Sequence, residues 1–119
     1  MSRKTEILIA GGGPAGLSAS LVAAQLGAKV LLVDDNPVLG GQLIKQTHRF
    51  FGSSAREAGI RGINIAKKLC QEVEKRKGLV SLVNTAVVGF YGDTQSGILT
   101  RESFEEVKFE RAIVCTGAT

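Results

Sequence analysis

The stretch ILIAGGGPAGLSASLVAAQ, Ile7 to Gln25, decides the fold of this 119-residue chain. Ile7 to Ala10 is apolar without alternation, as a strand covered on both faces must be. Including Thr5 and Glu6, the predicted strand runs from Thr5 to Ala10. Three glycines follow, then a proline suited to the first turn of a helix, where its missing N–H costs nothing. A helix is predicted from Pro14 to about Leu26, closed by Gly27 at the position where a left-handed residue ends helices. Gly16, Ala19, Ala23 and Gly27 give it a face of small residues that can lie close to a sheet.

Gly11, Gly13 and Gly16 fit the spacing G-x-G-x-x-G between strand and helix. The first glycine permits a tight turn. The second leaves no Cβ between backbone and a diphosphate, and the third lets helix and strand approach. Unpaired N–H groups and the helix dipole favour an anion at that terminus. Gly12 reads as turn geometry. Lys29 to Val33 form a second aliphatic strand, completing a βαβ unit with Asp34 at its tip. A carboxylate there can accept both hydroxyls of an adenosine ribose and would repel a 2′-phosphate, which argues against NADP. Asp35 is the second choice for this role. The alternative reading is a glycine-rich turn of purely structural purpose.

Outward from that unit the chain is less explicit. Asn36-Pro37 and Gly40-Gly41 punctuate an irregular third that reaches Gly59. Ile60, Ile63, Ala66, Leu69 and Val73 then recur at helical spacing, with Lys68, Glu72 and Arg76 able to pair along the wet side. That helix is expected to end near Lys77-Gly78. Four short β-like runs follow, at Leu79 to Val83, Ala86 to Tyr91, Gly97 to Thr100 and Glu105 to Phe109. Arg111 to Cys115 make a final aliphatic strand. The class is α/β: a parallel sheet with an inserted antiparallel meander.

Composition bounds the function. An apolar fraction of 44% supports a packed core rather than disorder, and 119 residues allow one domain. The net charge of +4 is spread without a dense stripe or interleaved aromatics, which argues against a nucleic-acid face. No run of apolar residues is long enough for membrane insertion, and no signal peptide is present. Cys70 and Cys115 are too far apart in sequence for a redox or metal-binding C-x-x-C pair, so no metal is expected and a cytoplasmic, reducing setting is. Both thiols read as packing residues.

GGGPAG at 11–16, VLLVDD at 30–35, GGQL at 40–43 and CTGA at 115–118 together resemble the amino-terminal region of the two-dinucleotide-binding-domain flavoproteins. This pyridine nucleotide-disulfide oxidoreductase-like family includes thioredoxin reductase, glutathione reductase and the α subunits of sarcosine oxidase and dye-linked amino-acid dehydrogenases. GGQLIKQTHRFFGS is most similar to the last group. The resemblance covers essentially the whole chain and implies a Rossmann-like fold with FAD as the cofactor.

It further implies that Gly11, Gly13, Pro14, Ala15 and Gly16 surround the pyrophosphate and that Asp34 holds the ribose. Gly40, Gly41 and Gln42 would lie along the pyrophosphate, ribitol and flavin. Val87 would present backbone to the adenine, and Thr116 and Gly117 would pass near the cofactor. The activity implied is hydride transfer to flavin N5, from amines or amino acids.

Family members continue into a second nucleotide domain that this sequence lacks. The chain is therefore expected to be one FAD-binding domain spanning 1–119, incomplete relative to the family: a fragment, a truncated reading frame or a small subunit. A partner subunit or homo-oligomer would complete it. The competing class is a non-catalytic nucleotide-binding or assembly module taking FAD, NAD or an adenine nucleotide. No catalytic residue is assigned. His48 and Lys45 are candidates to tune a flavin, and Phe50-Phe51 to cover one.

Overall fold

The computed structural model describes residues 2–37, 39, 64 and 67–115. Its elements in chain order are β1 (Ser2–Lys4), β2 (Ile7–Ala10), α1 (Pro14–Gln25) and β3 (Val30–Val33). A helix α2 (67–75) follows. The remaining strands are β4 (Leu79–Leu82), β5 (Ala86–Tyr91), β6 (Gln95–Leu99), β7 (Phe104–Lys108) and β8 (Arg111–Val114).

Two four-stranded sheets result. The first runs β4-β3-β2-β8, with every pairing parallel. The second runs β1-β7-β6-β5 and contains the antiparallel meander. Alternation along the central strands sorts side chains between two cores. Ile9, Val30 and Leu32 pack towards α1 with Leu17 and Leu21, and with Val73 of α2. Leu8, Leu31 and Val33 point the other way, against Ile98, Val107 and Phe109 of the meander side. Both faces of β2 and β3 are thus covered, which is why neither strand shows a polar–apolar alternation.

The layers are helices, parallel sheet and meander. The expected fold class is present, with α1 one residue shorter than anticipated and Gly27 closing it at φ 91°. Gly27 itself is solvent-exposed, so the packed small-residue face ends at Ala23.

Two expectations need correction. Strand β2 begins at Ile7 rather than Thr5, and Ser2–Lys4 forms a separate strand parallel to β7. The break falls where the Thr5 hydroxyl and the amides of Glu6 and Ile7 all bond the Lys29 carbonyl, turning the chain from one sheet to the other. The Leu79 run joins the parallel sheet, outside the meander, and Leu79 enters the helix-side core. Among the described residues Lys68, Glu72 and Arg76 form no ion pairs. Among the described residues the single ion pair joins Arg3 to Glu105, and Arg76 lies past the end of α2.

The strands of the meander meet at the expected signals. Gly92 has φ 68° between β5 and β6, and Asn84, at φ 51°, precedes β5. Strand β8 is the outer edge of the parallel sheet, with Ile113 and Val114 exposed. No described helix is long and apolar enough to cross a membrane.

Candidate dinucleotide site at the start of the first helix

The C-terminal ends of β2 and β3 lie side by side, with Ala10 opposite Val33. The Gly11 amide donates to the Val33 carbonyl at 2.7 Å, so the chain leaves β2 still tied to its neighbour. Gly11 then turns at φ 113°, a conformation that side-chain-bearing residues rarely adopt. Gly13 serves as N-cap in extended geometry, and its carbonyl accepts the Leu17 amide at 2.9 Å. No side chain caps this helix end and no acidic residue occupies its first turn. The first-turn N–H groups therefore keep their polarity directed outward.

The glycines differ in what they allow. A Cβ on Gly16 would overlap the carbonyl oxygen of Gly11, which is backbone and cannot rotate aside. A Cβ on Gly12 would come within 2.7 Å of both Asp34 Oδ2 and Leu39 Cδ2. At Gly13 nothing lies within 4 Å of that position. Gly16 is thus required by the fold and Gly12 is crowded by side-chain ends that can shift, whereas Gly13 is bare beside open space at an uncapped helix start. That is the cradle a diphosphate needs, and the described residues fit such a group.

Asp34 stands at the same end of the sheet. Its Oδ2 accepts the Gly12 amide at 3.2 Å, so the carboxylate and the glycine turn are direct neighbours. Its Oδ1 accepts both the backbone amide and the side-chain amide of Asn36, each at 3.2 Å. The Asp34 backbone is clamped as well, donating to Leu82 O and accepting from Thr85, both at 2.9 Å. Asp34 is buried and Asp35 exposed.

A carboxylate offers about four acceptor directions. Three are taken by Gly12 and Asn36, leaving room for one sugar hydroxyl rather than the two expected while Asn36 keeps its bonds. Asn36 was missed in the sequence. Its signal is the local one of an Asp accepting backbone N–H two residues on.

Pro14 and Ala15 occupy the first turn of α1 and are exposed, beside Gly13. Val87 lies in β5 opposite Ile98, with a bulge before Gly89, and its side chain packs on the meander-side core. It therefore has only backbone to present. Cys115 follows β8 and donates its amide to Ala10 O at 2.7 Å, so Cys115 lies at the same end of the sheet as the glycine turn. Gly40, Gly41, Gln42, Thr116 and Gly117 lie outside the described residues, as do Lys45, His48 and Phe50-Phe51.

Both cysteines are free and half-buried against the helix-side core. Burial, and secondarily the Glu74 carboxylate, push the Cys70 thiol up. No cluster of metal-binding side chains occurs among the described residues.

Comparison with known proteins agrees with this geometry. The family model for FAD dependent oxidoreductases matches residues 6–113. Sarcosine oxidase subunit alpha of Rhizobium meliloti is 31% identical over 96 residues, covering 81% of this chain and 9% of that protein. The chain thus spans under a tenth of that relative's length. The crystal structure of L-proline dehydrogenase from P. horikoshii superposes with a TM-score of 0.68 at 20% identity, covering 99% of this chain and 24% of that one. The p-nitrophenol 4-monooxygenase of Pseudomonas putida gives 0.75 at 12% identity, with coverages of 98% and 42%.

Proposed function

This chain belongs to the FAD-dependent oxidoreductase family, and from that premise we propose that it is the FAD-binding domain of an oxidoreductase acting on amines or amino acids. The amine reading rests on the relative named as sarcosine oxidase subunit alpha. The binding reading rests on one observation above the others: Gly13 faces open space at an uncapped helix N-terminus while Asp34 sits one hydrogen bond from Gly12.

The chain's own residues have three tasks in this proposal. Gly13, Ala15 and Gly16 offer N–H groups and a bare backbone to the pyrophosphate, whose charge the α1 dipole stabilises. Asp34 accepts a hydroxyl of the adenosine ribose, and its position is fixed by Asn36 and Gly12 before any ligand arrives. Such preorganisation limits the ordering cost of binding. Val87 supplies backbone towards the adenine. Gly40, Gly41, Gln42, Thr116 and Gly117 complete the cofactor's length in this reading, and no catalytic side chain is assigned. When bound, FAD supplies a two-electron oxidant able to accept hydride from a carbon next to nitrogen.

The test is cofactor identity and retention. Purified protein is denatured and the released cofactor identified by mass. Refilling the emptied protein with FAD or NAD is then followed by fluorescence. The expected result is FAD bound in preference to NAD, with Gly13→Ala weakening FAD by roughly tenfold or more, as overpacking of one to three kcal/mol requires. Equal affinity for NAD, or FAD binding unaffected by Gly13→Ala, would refute the assignment.

A further inference from the structure

The parallel sheet has a second end, and it is basic. At the N-terminal ends of β3 and β4 a cleft of about 290 Å³ opens, walled by Lys4, Lys29 and Arg3 and floored by Leu31 and Val80 beside Gly78. Among the described residues neither the Lys4 nor the Lys29 ammonium forms an ion pair, while the Lys29 backbone amide donates to Glu6 Oε1 at 3.2 Å. Arg3 is held by Glu105 at 2.8 Å through Nε. Val80 is half-exposed on β4, an edge strand of the parallel sheet.

The cleft also lies between two sheet edges. Among the described residues strand β1 ends one sheet and β4 ends the other. Thr5 donates its amide towards Lys108 on the β7 side, and alternation then directs the N–H and C=O of Lys4 away from β7. An unpaired edge of this kind is a template for another strand.

From these observations we propose that the cleft between β1 and β4 is a docking site for an extended acidic segment of a partner polypeptide. The segment adds to the free edge of β1 through its backbone. Its carboxylates meet Lys4 and Lys29, and an apolar residue between them covers Val80. The charge selects acidic partners, and the narrow volume suits one extended strand better than a folded ligand. The cleft lies at the opposite end of the sheet from Gly13 and Asp34, so it is independent of cofactor binding.

The experiment uses the whole chain, with and without added FAD, and a fluorescent octapeptide of alternating Glu and Val read by anisotropy at low salt. Controls are the Lys–Val peptide, the Glu–Val peptide N-methylated at alternate residues, inorganic phosphate, and vesicles containing anionic phospholipid. Circular dichroism checks that the variants remain folded, which surface substitutions permit. The expected result is saturable binding of the acidic peptide alone, unchanged by FAD. Lys4→Glu and Lys29→Glu each weaken it by about fivefold, and one of the two N-methyl registers abolishes it. The proposal is overturned if the acidic peptide does not bind, or if charge reversal leaves its affinity unchanged. Full binding of both N-methylated registers, displacement by phosphate at constant ionic strength, or preference for the vesicles would overturn it equally.

Discussion

Substituting Gly16 by alanine sets helix propensity against packing. In an exposed helix interior the exchange stabilises by about 1 kcal/mol, because alanine is the better helix former. Here the added methyl would overlap the Gly11 carbonyl oxygen and sit 2.8 Å from the Gly11 carbonyl carbon, where ordinary contact begins near 3.4 Å. Relief needs a separation of at least 0.6 Å from the carbon alone, and more from the oxygen.

Neither obstacle is a rotatable side chain, so α1 must move off the β2–α1 turn as a unit. Leu17 and Leu21, buried against Ile9 and Leu32, would move with it. Overpacking of this kind costs ~1–3 kcal/mol, which exceeds the propensity gain at most of that range. Gly16→Ala is therefore expected to lower stability by up to about 2 kcal/mol net, read as a lower urea midpoint with unchanged slope. A midpoint equal to or above that of the unsubstituted protein would show that helix and turn are not in backbone contact. The close-approach reasoning would then fail.

Three further outcomes are expected. Asp34→Asn puts an amide among three donors, from Gly12 and from Asn36 twice; it should lower stability by about 1–3 kcal/mol, the cost of an unsatisfied buried polar group, measured by denaturant titration. Arg3→Met leaves the buried Glu105 carboxylate without its partner and should destabilise by roughly 2 kcal/mol, less than for a fully buried pair because the Arg3 side chain is 37% exposed. Adding Glu105→Gln should restore part of that loss, which a double-mutant cycle measures.

Cys70 should alkylate more slowly than an unshielded thiol at alkaline pH, in a Cys115→Ser background, because burial raises it and Glu74 raises it further. The sign follows: a proton held more tightly in the folded state keeps its stabilising effect below the ordinary thiol range and loses it as pH rises through the raised value. Glu74→Gln should shift the rate profile towards lower pH, and an unshifted profile would remove the carboxylate's part.

Much of this architecture was legible because each feature that mattered was local. Gly11, Gly13, Pro14 and Gly16 mark a turn, and the uninterrupted run Val30–Val33 marks a strand covered on both faces. The meander's turns were announced by Asn84 and Gly92, and both have positive φ. What escaped was non-local. Nothing near Ser2–Lys4 says that it will pair with β7, because the pairing spans about a hundred residues and is sealed by Arg3 with Glu105. Leu79–Leu82 looks like its neighbours in composition, and only its packing against the helix-side core assigns it to the parallel sheet. At the site, the sequence separated Asp34 from Asp35 by strand position but could not show that Asn36 and Gly12 already occupy most of the Asp34 carboxylate.

The most direct test of the central claim is a titration of isotope-labelled protein with FAD, followed by the backbone amide resonances. The account predicts saturable shifts that are largest at Gly12, Gly13, Ala15, Gly16 and Asp34, with β6 and β7 nearly unchanged. Shifts concentrated away from the β2–α1 turn, or no shifts at saturating FAD, would contradict it.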